Sequence, residues 1–309
     1  MRLHVGGAGE FTVEQAGTML RNLTTGVNHN GLMAGATFSL DTTGTTNVQE
    51  LSVNIADSKG PGGGGIIIKK CGAGTLKLSG ANTYSGQSIL EGGSLSIDSF
   101  NSLVKGKASS SLGAPKTASD AEIMMSGGCT LVYTGKGEST DRTLNLPGGR
   151  DTITLDQSGT GLLKLTSPLV ISGYAESKTI VLTGSIAGAG ELACNMENPY
   201  DRAGKATTSL TKSGTGTWTL SGTNTYSGLT KVAGGVLVCA KFTALGSGTL
   251  DISSGAKLQL NYTGTRKIAA LTLNGGTAQA AGTYGSTASP ATHKDDTCFA
   301  GPGTVTLGQ

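Results

Sequence analysis

Internal copying constrains this chain more than anything else in it. KCGAGTLKLSGANTYSGQSILEGGSLSI, from Lys70 to Ile97, and KSGTGTWTLSGTNTYSGLTKVAGGVLVC, from Lys212 to Cys239, align from end to end without a gap. A short unit of this kind cannot bury its apolar face alone, so it must stack on neighbours and form a solenoid-like array. Alternation inside each copy predicts three short strands. On the first, Leu76 and Leu78, or Trp218 and Leu220, face inward, while Thr75, Lys77 and Ser79, or Thr217, Thr219 and Ser221, face outward. On the third, Leu95 and Ile97, or Leu237 and Cys239, face inward. Between the strands lies NTYSG, read as a turn. Asn82 and Asn224 are expected to accept the left-handed backbone region, and Gly86 and Gly228 to supply a positive φ. Tyr84 and Tyr226 are expected to pack beside the next turn rather than present rings to a sugar, because residues repeated by copying answer a repeated structural need.

Composition agrees with strands separated by glycine turns. Glycine supplies 51 of 309 residues without a period of three, and 36% of residues are hydrophobic, which excludes collagen and low-complexity disorder. Aromatic residues are 4%, so the core must be built from thin aliphatic layers. Weaker copies with the same grammar occur at 36–57, 158–173, 178–194 and 246–264, while FTVEQAGTMLRNL (11–23) suits a short helix or a strand. The expected fold is all-β: a parallel β-helix forming one elongated domain over residues 1–309. With about 20–25 residues per turn and about 4.8 Å per turn, it would have on the order of 13 turns and a length of about 60 Å. Each buried aliphatic side chain would contribute about 1.5–3 kcal/mol. Stacking would set like charges side by side, which explains the preference for Ser and Thr outside and the low charged fraction of 14%. Segments 61–65, 101–120, 197–206 and 286–296 read as loop excursions.

The motif G-x-G-T-L-x-L-S-G-x-N-T-Y-S-G, followed by a short strand and G-G-x-L, resembles the autotransporter-associated β-strand repeat found in passenger regions of Gram-negative surface proteins. Gly72, Gly74 to Leu76, Leu78 to Gly80 and Asn82 to Gly86 carry the match. So do Gly214, Gly216, Thr217, Leu220 to Gly222 and Asn224 to Gly228, with Trp218 in place of the first Leu. The resemblance implies a right-handed parallel β-helix outside the cell, associated with passenger transport rather than catalysis. The terminal GTVTLGQ does not read as the membrane barrel of such proteins, and MRLHVGGAGEFTVEQ does not read as a secretory signal.

Chemistry-bearing residues are sparse. Glu138, Asp141 and Arg142 form the densest mixed-charge cluster and read as a solvated face, with a lyase-type or hydrolase-type site as the sharper alternative. His293, Asp295 and Asp296 have no spacing that fills a metal shell. GGRDTITL (148–155) echoes a calcium-binding nonapeptide without its middle glycine. His4, His29 and His293 have no Ser or Cys partner nearby in sequence. Five scattered cysteines (71, 129, 194, 239, 298) lack paired spacing and read as small packing residues. No cofactor is expected. A net charge of +3 argues against nucleic acid, and no apolar run is long enough for a membrane span.

The expected function is therefore a non-enzymatic extracellular scaffold or adhesin segment. Its expected partners are host or environmental glycans or proteins, or other copies end to end. A β-helix polysaccharide lyase or glycoside hydrolase, and a self-associating matrix or filament protein, are the alternatives.

Overall fold

The computed structural model describes residues 1–25, 31–149, 151–172 and 176–308. His29, Arg150 of the GGRDTITL segment and the end of the weak copy at 158–173 lie outside the described residues. The chain is all-β, with its strands in mostly parallel sheets. The helix Val13–Thr25 settles the ambiguity at 11–23. It buries Ala16, Gly17 and Leu20, with Gly17 against Leu51 and Val53. No helix among the described residues is long and apolar enough to cross a membrane.

The longest sheet has ten strands: Gln49–Leu51, Thr75–Leu78, Ser94–Ile97, Thr130–Tyr133, Thr152–Gln157, Lys178–Gly184, Thr208–Lys212, Thr230–Val232, Thr249–Ile252 and Ala270–Leu273. Each pairs in parallel with the next one named, while strands of other sheets intervene in sequence. At about 4.8 Å per step the ten strands span about 43 Å. A six-stranded sheet runs from Arg2–His4 to Leu144–Asn145, and a seven-stranded sheet from Glu138–Thr140 to Phe299–Ala300. The length of chain per step is less uniform than expected. Thr75 pairs with Ser94 after a short connection, whereas the connection from Ser94 to its next partner Thr130 is nearly twice as long, because the excursion at 101–120 lies inside it.

The two copies do not occupy the same sheets. In the first copy, Ile67–Cys71 and Ser88–Glu91 lie in the six-stranded sheet, with Thr75–Leu78 and Ser94–Ile97 in the ten-stranded one. In the second, the equivalent strands Thr208–Lys212 and Thr230–Val232 lie in the ten-stranded sheet, with Thr217–Leu220 and Val236–Cys239 in the seven-stranded one. Between the copies the equivalent strands have therefore changed sheet.

A single hydrophobic cluster runs from Leu3 to Leu307. The inward residues named from alternation, Leu76, Leu78, Leu95, Ile97, Trp218, Leu220, Leu237 and Cys239, are all buried. Trp218 fits because its partner on the neighbouring strand is Gly190, where an added Cβ would come within 2.4 Å of the indole ring. The indole Nε1 donates to Thr183 O at 2.8 Å. All five cysteines are free and buried. Burial pushes the thiols of Cys129 and Cys194 up to about 11 and that of Cys239 to about 12, which leaves them inert as nucleophiles. Outside, several charges are paired across adjacent strands: Lys69 with Glu91 at 2.6 Å, Lys77 with Glu50 at 3.0 Å, Lys164 with Glu191 at 2.8 Å and Lys231 with Asp251 at 3.2 Å. Stacking therefore does not exclude charge; it requires that neighbouring charges alternate in sign.

In the ten-stranded sheet parallel pairing ends at Ala270–Leu273. Thr272 bridges Ala278 in antiparallel fashion, and Gln279 N donates to Leu271 O at 2.9 Å, so a return of the chain covers the outer edge of Ala270–Leu273. In a separate four-stranded sheet, Gly282–Gly285 pairs antiparallel with Thr304–Leu307, which pairs parallel with Thr265–Ile268.

Candidate functional site: the repeat corners and the flanking groove

Both NTYSG corners are built the same way. Asn82, Tyr84 and Gly86 are buried, as are Asn224, Tyr226 and Gly228. Asn82 Oδ1 accepts from Ile55 N at 2.8 Å in the turn before, and its Nδ2 donates to Ser111 O at 2.7 Å in the turn after. Asn224 does the same with Met196 N at 2.8 Å and Ala244 O at 2.5 Å. Each carboxamide thus fastens three successive turns through groups that would otherwise be buried and unpaired. Tyr84 places its hydroxyl 2.8 Å from Ser88 Oγ, and Tyr226 places its own 2.9 Å from Thr230 Oγ1. Burial pushes the Tyr226 phenol up to about 12.

The backbone reason expected for these residues is wrong. Asn101 and Asn274 are the non-glycine residues with positive φ among those described, so Asn82 and Asn224 are not left-handed, and neither Gly86 nor Gly228 has a positive φ. Proximity demands glycine here. A Cβ on Gly86 would come within 2.3 Å of Ile66 O, and one on Gly228 within 2.3 Å of Thr208 O. Asparagine is required for its amide, which no left-handed geometry explains.

Alternation and turn grammar miss the first residue of each copy. Lys70 and Lys212 are buried, and their ammonium groups donate to backbone carbonyls. Lys70 Nζ reaches the O atoms of Cys71 at 2.8 Å, Gly72 at 2.7 Å and Gly92 at 3.2 Å. Lys212 Nζ reaches those of Ser213 at 2.5 Å, Gly214 at 3.0 Å and Gly234 at 3.0 Å. Each ties its own turn to the next one along the chain. The sequence does carry a signal, since Lys is the same in both copies although a buried cation is costly. Burial lowers both ammonium groups to about 8. Between about pH 8 and the ordinary value the unfolded chain holds protons that the folded chain has released, so these lysines make the fold more stable as pH rises. The stability difference between the native chain and a Lys70→Met/Lys212→Met variant should therefore shift in favour of the native chain from pH 7.5 to 10. The expected shift is about 1–2 kcal/mol per lysine after allowance for solvent screening. Urea unfolding of both proteins across that range checks this, since the cysteine and tyrosine contributions are common to both.

The cluster Glu138, Asp141 and Arg142 is not a solvated face. Arg142 is 1% exposed. Its Nε donates to Ala121 O at 2.7 Å and its Nη1 to Leu112 O at 2.9 Å and Phe100 O at 3.3 Å, all in or beside the 101–120 excursion. Asp141 accepts from Leu103 N at 2.5 Å and Val104 N at 2.9 Å, and Glu138 Oε1 from Phe100 N at 2.8 Å. The excursion supplies backbone donors and acceptors that cannot satisfy one another, so these side chains are drawn in to pair with them. Next to them an open groove of about 420 Å³ is lined by Asp98, Lys107, Tyr133, Lys136 and Glu138 among others. Burial raises the Glu138 carboxyl and pushes the Tyr133 phenol up to about 12.

His293, Asp295 and Asp296 make local contacts. Asp295 accepts from Thr297 N at 2.8 Å, Asp296 from Thr287 N at 2.8 Å, and His293 stacks on Tyr284 at 4.6 Å. The described residues contain no group of three or more His, Cys, Asp or Glu side chains that could hold a metal ion.

The profile of the passenger-associated-transport-repeat family matches residues 69–97 and 210–238, the segments that carry both corners. Two segments of the chain are thus similar to this repeat. The chain is also 32% identical over 154 residues to the adhesin BmaC autotransporter of Brucella suis biovar 1 (strain 1330). That match covers 50% of this chain and 4% of that relative, so the chain spans a small part of it. No solved structure matches the chain. In both matched segments the shared lysine, asparagine and tyrosine are buried and bond to neighbouring stretches of the chain.

Proposed function

We propose that this chain is a segment of an extracellular or cell-surface passenger, wound over residues 1–309 as one right-handed parallel β-helix that serves as a non-enzymatic scaffold or adhesin. The observation that carries the proposal is the pair of segments similar to the passenger-associated transport repeat, set in a chain half of which resembles an autotransporter adhesin. Parallel strands that recur on the same sheets with other strands between them suit a helical winding, and crossovers between parallel strands are right-handed in about 98% of cases. Asn82, Tyr84, Gly86, Asn224, Tyr226 and Gly228 serve as structural corners, which leaves contact with glycans or proteins to the outward strands and the excursions. Val104 at 80% and Tyr200 at 83% exposure are the prominent apolar groups at two excursion tips.

Immobilised protein screened against glycan and matrix-protein arrays should give saturable binding without product release. Absence of binding to every class, together with release of reducing ends or unsaturated uronate, would overturn the proposal. One observation favours the enzymatic alternative: Glu138, with its raised carboxyl, lines an open groove with Lys107 and Lys136, a setting suited to an acidic polysaccharide. Any turnover by that site should disappear in Glu138→Gln. The filament alternative predicts sedimentation that grows without limit as concentration rises.

A further inference from the structure

Parallel backbone ladders are nearly blind to sequence. Every strand offers the same row of N–H and C=O groups, and a slip of one residue turns each inward side chain outward. A chain with ten parallel strands in one sheet therefore needs side chains that state which turn stacks on which, and in what register. We infer that Asn54–Asp57 and Asn195–Asn198 do this: each is a receiving turn that recognises the NTYSG corner stacked on it.

Both segments lie outside the matched repeats, and both read Asn-x-x-Asp or Asn, as NIAD and NMEN. The first Asn addresses the residue before the corner. Asn54 Oδ1 accepts from Ala81 N at 2.8 Å, and Asn195 Oδ1 from Thr223 N at 2.8 Å. The last residue addresses the corner serine. Asp57 accepts from Ser85 N at 2.6 Å and Ser85 Oγ at 2.8 Å; Asn198 accepts from Ser227 N at 3.0 Å and donates to Ser227 Oγ at 2.8 Å. Between them, Ile55 and Met196 supply the N–H taken by the corner asparagine. They also supply the carbonyl taken by the threonine after it, from Thr83 N at 2.7 Å and Thr225 N at 2.9 Å. The spacing of the receiving side chains thus fits the spacing of the corner amides, a match that a slipped pairing loses.

The turn after each corner is matched as well. Ser110-Ser111-Leu112-Gly113 and Thr243-Ala244-Leu245-Gly246 give their second carbonyl to the corner asparagine. Their glycines leave room for the tyrosines: a Cβ on Gly113 would come within 3.1 Å of the Tyr84 ring, and one on Gly246 within 2.3 Å of the Tyr226 ring. The chain between Tyr84 and Gly113 is markedly longer than that between Tyr226 and Gly246. The contacts persist although the connection differs in length, so the side chains specify the match and the spacing does not.

The test reports register directly. In the full chain, Glu50→Cys with Lys77→Cys places two thiols on a natively paired position, whereas Glu50→Cys with Ser79→Cys places them two positions out of step, too far for a disulfide. After refolding from urea under reduction and then oxidation, peptide mapping should find the 50–77 link at least tenfold above the 50–79 link. In Asn54→Ala/Asp57→Ala the ratio should fall to about threefold or less. Asp57→Asn, which installs the residue found in the second copy, should keep the native ratio. An unchanged ratio in a folded Asn54→Ala/Asp57→Ala protein would overturn the inference. If that protein does not fold, the single Asn54→Ala variant decides in the same way. None of these outcomes depends on what the surface binds.

Discussion

Gly190→Leu is expected to unfold the part of the protein that contains the second repeat, and Trp218→Leu in the same chain is expected to restore it. An added Cβ at Gly190 alone would lie 2.4 Å from the indole, and the rest of a leucine side chain has no space within the stacked layer. Overpacking of this kind costs about 1–3 kcal/mol when the surroundings can yield. Here they yield little, because the indole is 1% exposed and pinned by its bond to Thr183 O. Trp218→Leu alone should cost about 3 kcal/mol for the cavity it leaves. Together the two leucines would form a layer of the kind found elsewhere in the core, where Leu95 stacks on Leu76. A double-mutant cycle should return a coupling of about 3 kcal/mol. Because arrays of stacked units need not unfold in one step, hydrogen exchange at the amides of 189–192 and 217–220 is the suitable readout. Additive effects would show that the pairing of glycine and tryptophan is incidental.

The second large effect is expected at Asn224. Alanine there strips Met196 N and Ala244 O of their partner, and a buried group left unpaired costs about 1–3 kcal/mol. Losing two is a large fraction of the roughly 5–15 kcal/mol by which domains are stable. Asn224→Asp separates the two roles. A carboxylate can accept from Met196 N but has no proton for Ala244 O, whereas the protonated acid can serve both. Burial would raise the folded acid above its ordinary value of about 3.9, so the stability it supplies is present at low pH and lost as pH rises through the folded value. Asn224→Asp should therefore be close to the native protein near pH 4 and approach Asn224→Ala by pH 7.5, as followed by thermal melts at both values. A variant equally stable at both would mean that the Ala244 bond is unimportant.

Much of this architecture is legible because burial in a strand has a period of two. Leu76, Leu78, Trp218 and Leu220 can be assigned to the core from alternation alone, and the weak copies at 36–57, 178–194 and 246–264 each resolve into two strands. Chemistry conducted through the backbone is not legible in this way. Nothing in the composition of NTYSG distinguishes an asparagine chosen for its backbone freedom from one chosen for an amide that reaches two other turns. Lys70 and Lys212 escape a pattern-based reading because lysine usually faces water, and only the cluster of three carbonyls makes the inward position tolerable. Arg142 is misassigned for the same reason, since its partners are carbonyls contributed by an excursion whose path the sequence does not disclose. The groove near Glu138 is likewise invisible, because it forms between residues far apart in the chain.

Between the two copies each matched strand changes sheet. The outward residues of the first copy look out from the six- and ten-stranded sheets, and those of the second from the ten- and seven-stranded sheets. Thr75 and Thr217 match, but Lys77 is replaced by Thr219, Ile89 by Lys231, Glu91 by Ala233 and Ser94 by Val236. Copying has thus kept the buried lysine, asparagine and tyrosine while the outward positions diverged, so the two copies turn different chemistry to water.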